Sequence, residues 1–337
     1  MKPCRPACSK SITGMTMDRK RLSIRLLMVA ASAAAALLLV EGFLQLVDPF
    51  DYAAVEEREI FCTTIYRQMD AIALIPMARA TYLGTEAVIN SMGMRNPETT
   101  VEKPDGVYRI LAVGDSVAFG WGVHEHECAP RVLETLLNEE NPFPGKRVEV
   151  INAAVPGWNV VEEVMFILDE SARFEPDMIL WVLCINDLPR DPRDTERTGG
   201  SVPHWLMHRI RTVRFAWVLY LTVFDKLPPT LEEYVAMIRR KDYDAACRVL
   251  RKGVDYCRKA GIDLKVYYPF HDEQMIGFFR DEGIRAASLD VRYDEYRTKY
   301  ALHRYDSHPN AAFHHRLAEA IWDEIHRFSA AESSSND

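Results

Sequence analysis

An apolar run followed by a turn of small and polar residues is the feature that most constrains the fold of this chain. Val107 to Val113 ends in four consecutive apolar residues, which is typical of a strand buried on both faces of a parallel sheet. Gly114-Asp115-Ser116 follows it directly. Because glycine permits a sharp turn, this order predicts a strand that turns into a helix, with Ser116 held outward at the carboxyl end of a sheet. Open α/β sheets keep their ligand sites at this edge.

The tripeptide alone does not establish a nucleophile, since glycine, aspartate and serine also favour ordinary turns. Ester hydrolysis at a serine needs a base, an acid that orients the base, and donors aimed at the developing oxyanion. Three later segments contain such groups. Near the C-terminus, His308 can act as the base and Asp306 can orient it. The backbone N–H groups of Ser116 and Gly157, with the side-chain amide of Asn186, can form the oxyanion hole.

On these residues the chain resembles the SGNH (GDSL-type) hydrolase family, whose four sequence blocks take their letters from Ser, Gly, Asn and His. The letters fall in that order on Ser116, Gly157, Asn186 and His308. The resemblance spans roughly residues 90–328, and its lead-in is similar to the segment that precedes the first block in membrane-anchored members. The resemblance implies a serine esterase.

The resemblance also implies a three-layer α/β/α, flavodoxin-like fold with a central parallel sheet and the site in the crevice above the strand ends. The pattern of the chain agrees, because strand-like and helix-like stretches alternate after Asp105. The predicted strands are 107–113, 147–151, 178–183, 264–268 and, more weakly, 289–293, and the predicted helices are 130–138, 160–173, 243–260 and 311–328.

Two blocks depart from the pattern of the family. The third block commonly reads Gly-x-Asn-Asp, but Cys184 stands in the place of the glycine. The last block commonly reads Asp-x-x-His, whereas Tyr305 occupies that acid position and Asp306 stands two residues before His308. A carboxylate two residues away on a bent loop can still reach the imidazole Nδ1. His303 is a poorer candidate base, because its neighbours supply no orienting group.

Several polar residues near the blocks are interpreted as structural. Asp115 and Asp187 adjoin the proposed catalytic positions, and we expect them to brace the loops by hydrogen bonds rather than to act as acids. The stretch 124–127 contains two histidines and two glutamates, but no third partner stands at ligand spacing. We therefore expect no metal and no cofactor. A net charge of −8 without a basic stripe argues against a nucleic-acid partner.

An apolar run near the N-terminus predicts contact with a membrane. Leu26 to Val47 has 22 residues with Glu41 as its one charge. At about 1.5 Å per residue this is long enough to cross a bilayer core of roughly 30 Å. Counted only to Val40, the run also has the length of a signal-peptide core. We favour a transmembrane anchor over a cleaved signal, because no clear small-x-small site follows the run.

Basic residues on one side of the run predict its orientation. Arg19, Lys20, Arg21 and Arg25 precede it, so the positive-inside rule leaves the N-terminus in the cytoplasm. The predicted location is the inner (cytoplasmic) membrane, with a single pass and the catalytic domain in the periplasm or another extracytoplasmic compartment.

The predicted domain organisation follows from these features. A long insertion, residues 188–241, separates the third and fourth predicted strands, and its sequence is aromatic and basic. We interpret it either as a helical lid that rests against the membrane or as a helix pair packed over the sheet. The predicted segments are a cytoplasmic tail 1–25, a transmembrane anchor 26–47, a lead-in 48–104, a hydrolase domain 105–330 with an insertion 188–241, and a disordered tail 331–337.

The sequence thus predicts a membrane-tethered serine esterase that forms an acyl-enzyme at Ser116. The expected substrate is an ester-bearing glycan or lipid, foremost an O-acyl group on a cell-envelope glycan, a preference that rests on location and family analogy. Trp121 and Trp158 flank the site and can stack on sugar rings or fill the core. Three alternatives stay open: a polysaccharide O-acyltransferase with the same acyl-enzyme, a lysophospholipase or thioesterase, and a glycan-binding scaffold without turnover. The oligomeric state is not determined by the sequence.

Overall fold

The structure, a computed structural model, covers two compact units, one of residues 1–49 and 202–219 and one of residues 50–201 and 220–337. The predictions on residues 1–18, on Asn186 and on most of the insertion lie outside the described residues. The described residues are 19–47, 61–66, 69–82, 85–184, 187–188, 210, 212–213, 215–216, 243–289, 291–303 and 306–335.

The first unit contains the apolar run, which forms helix α1, Arg19–Val47. Within it, Leu22–Val47 is a stretch of 26 residues with a mean hydropathy of 2.1, long and apolar enough to cross a membrane, although a signal sequence has the same properties. The one acidic residue of this stretch, Glu41, is hydrogen-bonded inside the unit. The Glu41 carboxylate accepts from the Thr212 N–H at 2.8 Å and from the Thr212 hydroxyl at 2.7 Å. These bonds reduce the cost of placing a carboxylate in an apolar helix.

The second unit begins with two antiparallel hairpins that the sequence did not predict. Strand β1, Phe61–Tyr66, pairs with β2, Met69–Leu74. Strand β3, Arg79–Tyr82, pairs with β4, Thr85–Val88. These strands are short, which leaves little periodicity for a sequence pattern to reveal.

The hairpins precede a sheet whose five described strands are all parallel, in the order β6-β5-β7-β8-β9. This is the flavodoxin-like order, and the predicted fold class is confirmed. The four residues from Ile110 to Val113 have no exposed surface, as expected for a strand covered by helices on both faces. The strands are β5 Val107–Gly114, β6 Arg147–Asn152, β7 Met178–Val182, β8 Asp263–Tyr268 and β9 Arg285–Ser288.

Helices cover the sheet in two layers. The C-terminal helix, Ala311–Ser335, packs against α3, Ala129–Glu139. Helix α4, Val160–Asp169, packs against α5, Tyr243–Ala260. Because crossovers between parallel strands are right-handed, these two pairs lie on opposite faces of the sheet. The helices are α2 Ser116–Phe119, α3 Ala129–Glu139, α4 Val160–Asp169, α5 Tyr243–Ala260, α6 Glu273–Asp281, α7 Tyr293–Glu295 and α8 Ala311–Ser335, with a short hairpin before α8 formed by β10 Ala301–His303 and β11 Asp306–Pro309.

Three predicted elements differ from the structure. The weak strand 289–293 is wrong, because β9 occupies Arg285–Ser288, and Leu289 and Val291 are buried in a non-helical, non-strand connection. The predicted helix 160–173 ends at Asp169, and a 3₁₀ turn, Ser171–Phe174, continues it. Helix α8 runs to Ser335, into the stretch that the sequence predicts as a disordered tail. Burial alone does not distinguish a buried loop from a strand, which explains the first error.

Candidate active site

The turn between β5 and α2 holds Ser116 at the carboxyl edge of the sheet. Gly114 is required there, since a Cβ atom at this position would lie 2.5 Å from the Val182 carbonyl oxygen. Asp115 caps the helix, and its Oδ1 accepts from the Val117 N–H at 2.8 Å. Ser116 is therefore the first residue of α2, as the sequence predicts for a nucleophile turn.

The last block meets this turn. His308, on β11, has its Nε2 at 3.0 Å from the Ser116 Oγ, although the two residues are 192 positions apart in the chain. Its Nδ1 is 2.7 Å from Asp306 Oδ1, the same oxygen that accepts the His308 backbone N–H at 2.9 Å. Because a carboxylate only accepts, Nδ1 carries the ring proton, and Nε2 can then accept from the Ser116 hydroxyl. That hydroxyl is also 3.3 Å from Asp115 Oδ2.

The second block lies beside the nucleophile turn. The Val155 N–H donates to the Gly114 carbonyl at 3.1 Å, and the Trp158 N–H closes a turn on Val155 at 3.2 Å. Gly157 stands in this turn with a φ of 86°, a left-handed conformation that favours glycine. Among the described residues, neither the Ser116 N–H nor the Gly157 N–H has a backbone acceptor outside regular secondary structure. Within the described residues, no backbone carbonyl thus competes for the two N–H groups that the sequence predicts as oxyanion donors.

The third block is only partly visible, because Asn186 lies outside the described residues. Cys184 and Asp187 lie on either side of it, and the buried Cys184 donates its N–H to Asp187 Oδ2. The backbone therefore accommodates the cysteine side chain that stands in the place of the family's glycine. The Asp115 carboxyl lies close to that of Asp187. Burial raises the pKa of the Asp187 carboxyl well above its ordinary value, and the nearby Asp115 and Glu163 carboxylates add to the shift. These contacts are of the bracing kind that the sequence predicts for both aspartates.

Glu163, which no motif in the sequence indicated, lies fully buried on α4 behind the site. Its Oε2 accepts from the Trp181 indole N–H at 2.9 Å. Burial raises the pKa of this carboxyl well above its ordinary value, and the Asp115 carboxylate acts in the same direction. Two consecutive glutamates, Glu162 and Glu163, stand in the first turn of α4, and the local sequence does not indicate that the second one is buried.

Two buried side chains, those of Arg95 and His314, form hydrogen bonds to the segment that runs from the end of α2 to the start of α3. The Arg95 guanidinium donates to the carbonyls of Phe119 at 3.2 Å, Val123 at 2.5 Å, and Gly120. His314, on α8, accepts from the Ala129 N–H at 3.4 Å through Nδ1. Burial lowers the pKa of His314 to about 3, and the charge of Arg95 acts in the same direction, so the ring is neutral.

Three further groups of residues were candidates from the sequence: the two histidines of 124–127, Trp121 with Trp158, and His303. His124 and His126 stack at 5.6 Å between ring centroids, and no group of three or more potential metal ligands occurs in the described part of the chain. Trp121 and Trp158 are buried, which favours the core interpretation over stacking on sugars. The His303 side chain lies outside the described residues.

Comparison with known protein families agrees with this geometry. Residues 112–316, more than half of the chain, match the model of the GDSL-like lipase/acylhydrolase family. The chain belongs to this family. The resemblance drawn from the four blocks is therefore confirmed, and the protein is a hydrolase that acts on ester bonds. No curated protein sequence matches the chain.

Several solved structures are similar to this GDSL-family hydrolase. They include TesA, with 14% identity over 64% of this chain and 96% of that chain at a TM-score of 0.41. A catalytic mutant of Axe2, an acetylxylan esterase from Geobacillus stearothermophilus, has 15% identity over 65% of this chain and 94% of that chain at a TM-score of 0.40. The psychrotrophic esterase EstA from Pseudoalteromonas sp. has 13% identity over 66% of this chain and 98% of that chain at a TM-score of 0.40.

Proposed function

We propose that this hydrolase is a membrane-tethered serine esterase that works through an acyl-enzyme at Ser116. The observation that carries the proposal is the pair of distances at His308: 3.0 Å from Nε2 to the Ser116 Oγ and 2.7 Å from Nδ1 to Asp306 Oδ1. This is the arrangement that a serine nucleophile, its general base and an orienting acid require.

The reaction follows from these contacts. The Ser116 Oγ attacks the ester carbonyl while its proton passes to His308 Nε2, and the resulting imidazolium is stabilised by Asp306. The oxyanion accepts from the N–H groups of Ser116 and Gly157 and from the Asn186 amide. When the tetrahedral intermediate collapses, His308 gives its proton to the leaving alcohol oxygen and the acyl group stays on Ser116. Water then attacks with His308 as base, and the acid and free enzyme are released.

We place the substrate among O-acyl esters of cell-envelope glycans. The family supplies the ester chemistry, and the apolar helix behind four basic residues supports a hydrolase domain on the outer side of the membrane. A glycan ester of the envelope is the substrate class within reach of an enzyme tethered there.

Covalent capture of the nucleophile tests the proposal. We expect a fluorophosphonate to label the full-length chain in detergent on the Ser116 peptide, and to leave the Ser116→Ala variant unlabelled. Competition then identifies the substrate class: O-acetylated glycan should slow labelling at concentrations where lysophospholipid does not. Labelling elsewhere would reject the acyl-enzyme at Ser116, and protection by lysophospholipid alone would replace the glycan with a lipid.

The tether is tested on membranes from cells that express the full chain. We expect the protein to stay in the membrane pellet after extraction at alkaline pH, with residues 19–47 retained in the mature chain. Release into the supernatant, together with a new N-terminus after residue 40, would show that the apolar helix is a cleaved signal peptide.

A further inference from the structure

The first hairpin of the lead-in is hydrogen-bonded to the second block of the site. The Trp158 indole N–H donates to the Ile72 carbonyl oxygen at 2.7 Å, across 86 positions of the chain. Ile72 lies on β2, opposite Thr63 of β1. This hairpin precedes residue 112, so it lies outside the segment that the family model matches. Strand β2 thus lies outside the matched family segment, and the Trp158 bond holds it against the second block of the site.

The Ile72 side chain lies against Gly157. A Cβ atom built on Gly157 would be 3.7 Å from Ile72 Cδ1, which is ordinary van der Waals contact. Ile72 is 40% exposed, whereas Ala71 and Leu74 of the same strand are each 4% exposed. Strand β2 therefore buries Ala71 and Leu74 and presents the large aliphatic side chain of Ile72 to solvent, beside the proposed oxyanion donor.

The geometry of the proposed reaction decides which part of the substrate meets this side chain. The leaving oxygen must lie on the His308 side, because the imidazole protonates it. The carbonyl oxygen points to the Gly157 N–H. The remaining substituent of the carbonyl carbon is the acyl chain, which points away from His308 and can pass the turn that contains Gly157.

We propose that Ile72 is a specificity residue that limits the length of the acyl group, so that this enzyme takes short acyl esters such as acetyl esters. The inference rests on the proposed serine esterase and names its substrate class more closely. An aliphatic side chain at a fixed position excludes a longer chain by steric overlap and leaves the reacting atoms unaffected. Discrimination of this kind reaches 10-fold or more for each methylene that does not fit, on the order of 1–3 kcal/mol.

The test is an acyl-length series with a fixed leaving group, measured on the full-length chain in detergent. For wild type we expect kcat/KM to fall from p-nitrophenyl acetate to the butyrate and the hexanoate. Ile72→Ala should raise the ratio of hexanoate to acetate activity about 10-fold, and Ile72→Phe should lower that ratio. Ile72→Val keeps the β-branched shape of the strand residue and should give a smaller rise in the same direction.

A matched control is Met77→Ala, which removes an exposed apolar side chain from the same lead-in and should leave the ratio unchanged. An unchanged ratio in all three Ile72 variants would overturn the inference while acetate turnover still upheld the esterase. A change that appears only when the alcohol is varied and the acetyl group is kept would also overturn it, because Ile72 would then face the leaving group. Loss of turnover and of fluorophosphonate labelling in wild type itself would instead reject the proposed function.

Discussion

Replacing Ser116 by alanine is expected to lower kcat/KM for p-nitrophenyl acetate by about 10⁴-fold or more, the scale found when a serine nucleophile is removed. The reason is that the Ser116 Oγ lies 3.0 Å from His308 Nε2, the base that accepts its proton in the proposed reaction. The full-length chain in detergent is compared at equal concentration with its variant, and release of p-nitrophenol is followed.

The matched control is Ser288→Ala, which removes a hydroxyl on the edge strand β9 that lies 3.1 Å from His271 Nδ1. Its rate should stay within about twofold of wild type, as is usual for a change outside the site. If Ser116→Ala retained a rate near that of wild type, the proposed nucleophile would be wrong. The match of the nucleophile block to the family model would then reflect common ancestry without a shared catalytic role.

The Asp306→Asn variant is expected to lose about 10³–10⁴-fold in kcat, because an asparagine amide can donate to Nδ1 and stabilise the wrong imidazole tautomer. Oxygen Oδ1 of this carboxylate is 2.7 Å from Nδ1, so the unusual two-residue spacing still gives a direct contact. The assay is the initial rate of p-nitrophenyl acetate cleavage at saturating substrate.

Asp294→Asn serves as the control, since this exposed carboxylate pairs with Arg292 at 3.0 Å and lies in the same C-terminal part of the chain. Its kcat should not change. A loss of only a few-fold in Asp306→Asn would assign the orientation of His308 to another group, such as a backbone carbonyl.

The elements that the sequence predicted well are those with a long, continuous signal. Strand β5 is predictable because its apolar run is uninterrupted, and α5 is predictable over its full range, Tyr243–Ala260, because apolar residues recur on one face for five turns. The contact of Ser116 with His308 was predictable from chemistry alone, since the four blocks contain the complete set of groups that a serine esterase needs.

The features that escaped prediction depend on contacts between distant parts of the chain. The position of Ile72 beside Gly157 is fixed by the Trp158 bond, and nothing in the local sequence of β2 indicates that partner. Similarly, the buried carboxylate of Glu163 accepts from Trp181, on a strand of the sheet, and nothing in the local sequence of α4 indicates that partner. The prediction placed strand β9 at 289–293, four residues after its true start at Arg285, because the side chains of this edge strand are only partly buried and give no clear pattern.

The contacts of Arg95 bear on how fragments of this enzyme are best expressed. A fragment cut at the start of the matched family segment, residue 112, would lack the side chain that donates to the carbonyls of Phe119, Gly120 and Val123. The Val123 carbonyl would lose the Arg95 donor directly behind the nucleophile helix, at a cost of about 1–3 kcal/mol for a buried unsatisfied group. The Phe119 and Gly120 carbonyls would each lose one of two donors, since they also accept from the Asn152 amide and the Val123 N–H. A recombinant fragment should therefore begin before β1 and not at residue 112, so that it contains Arg95 together with the loop that this residue stabilises.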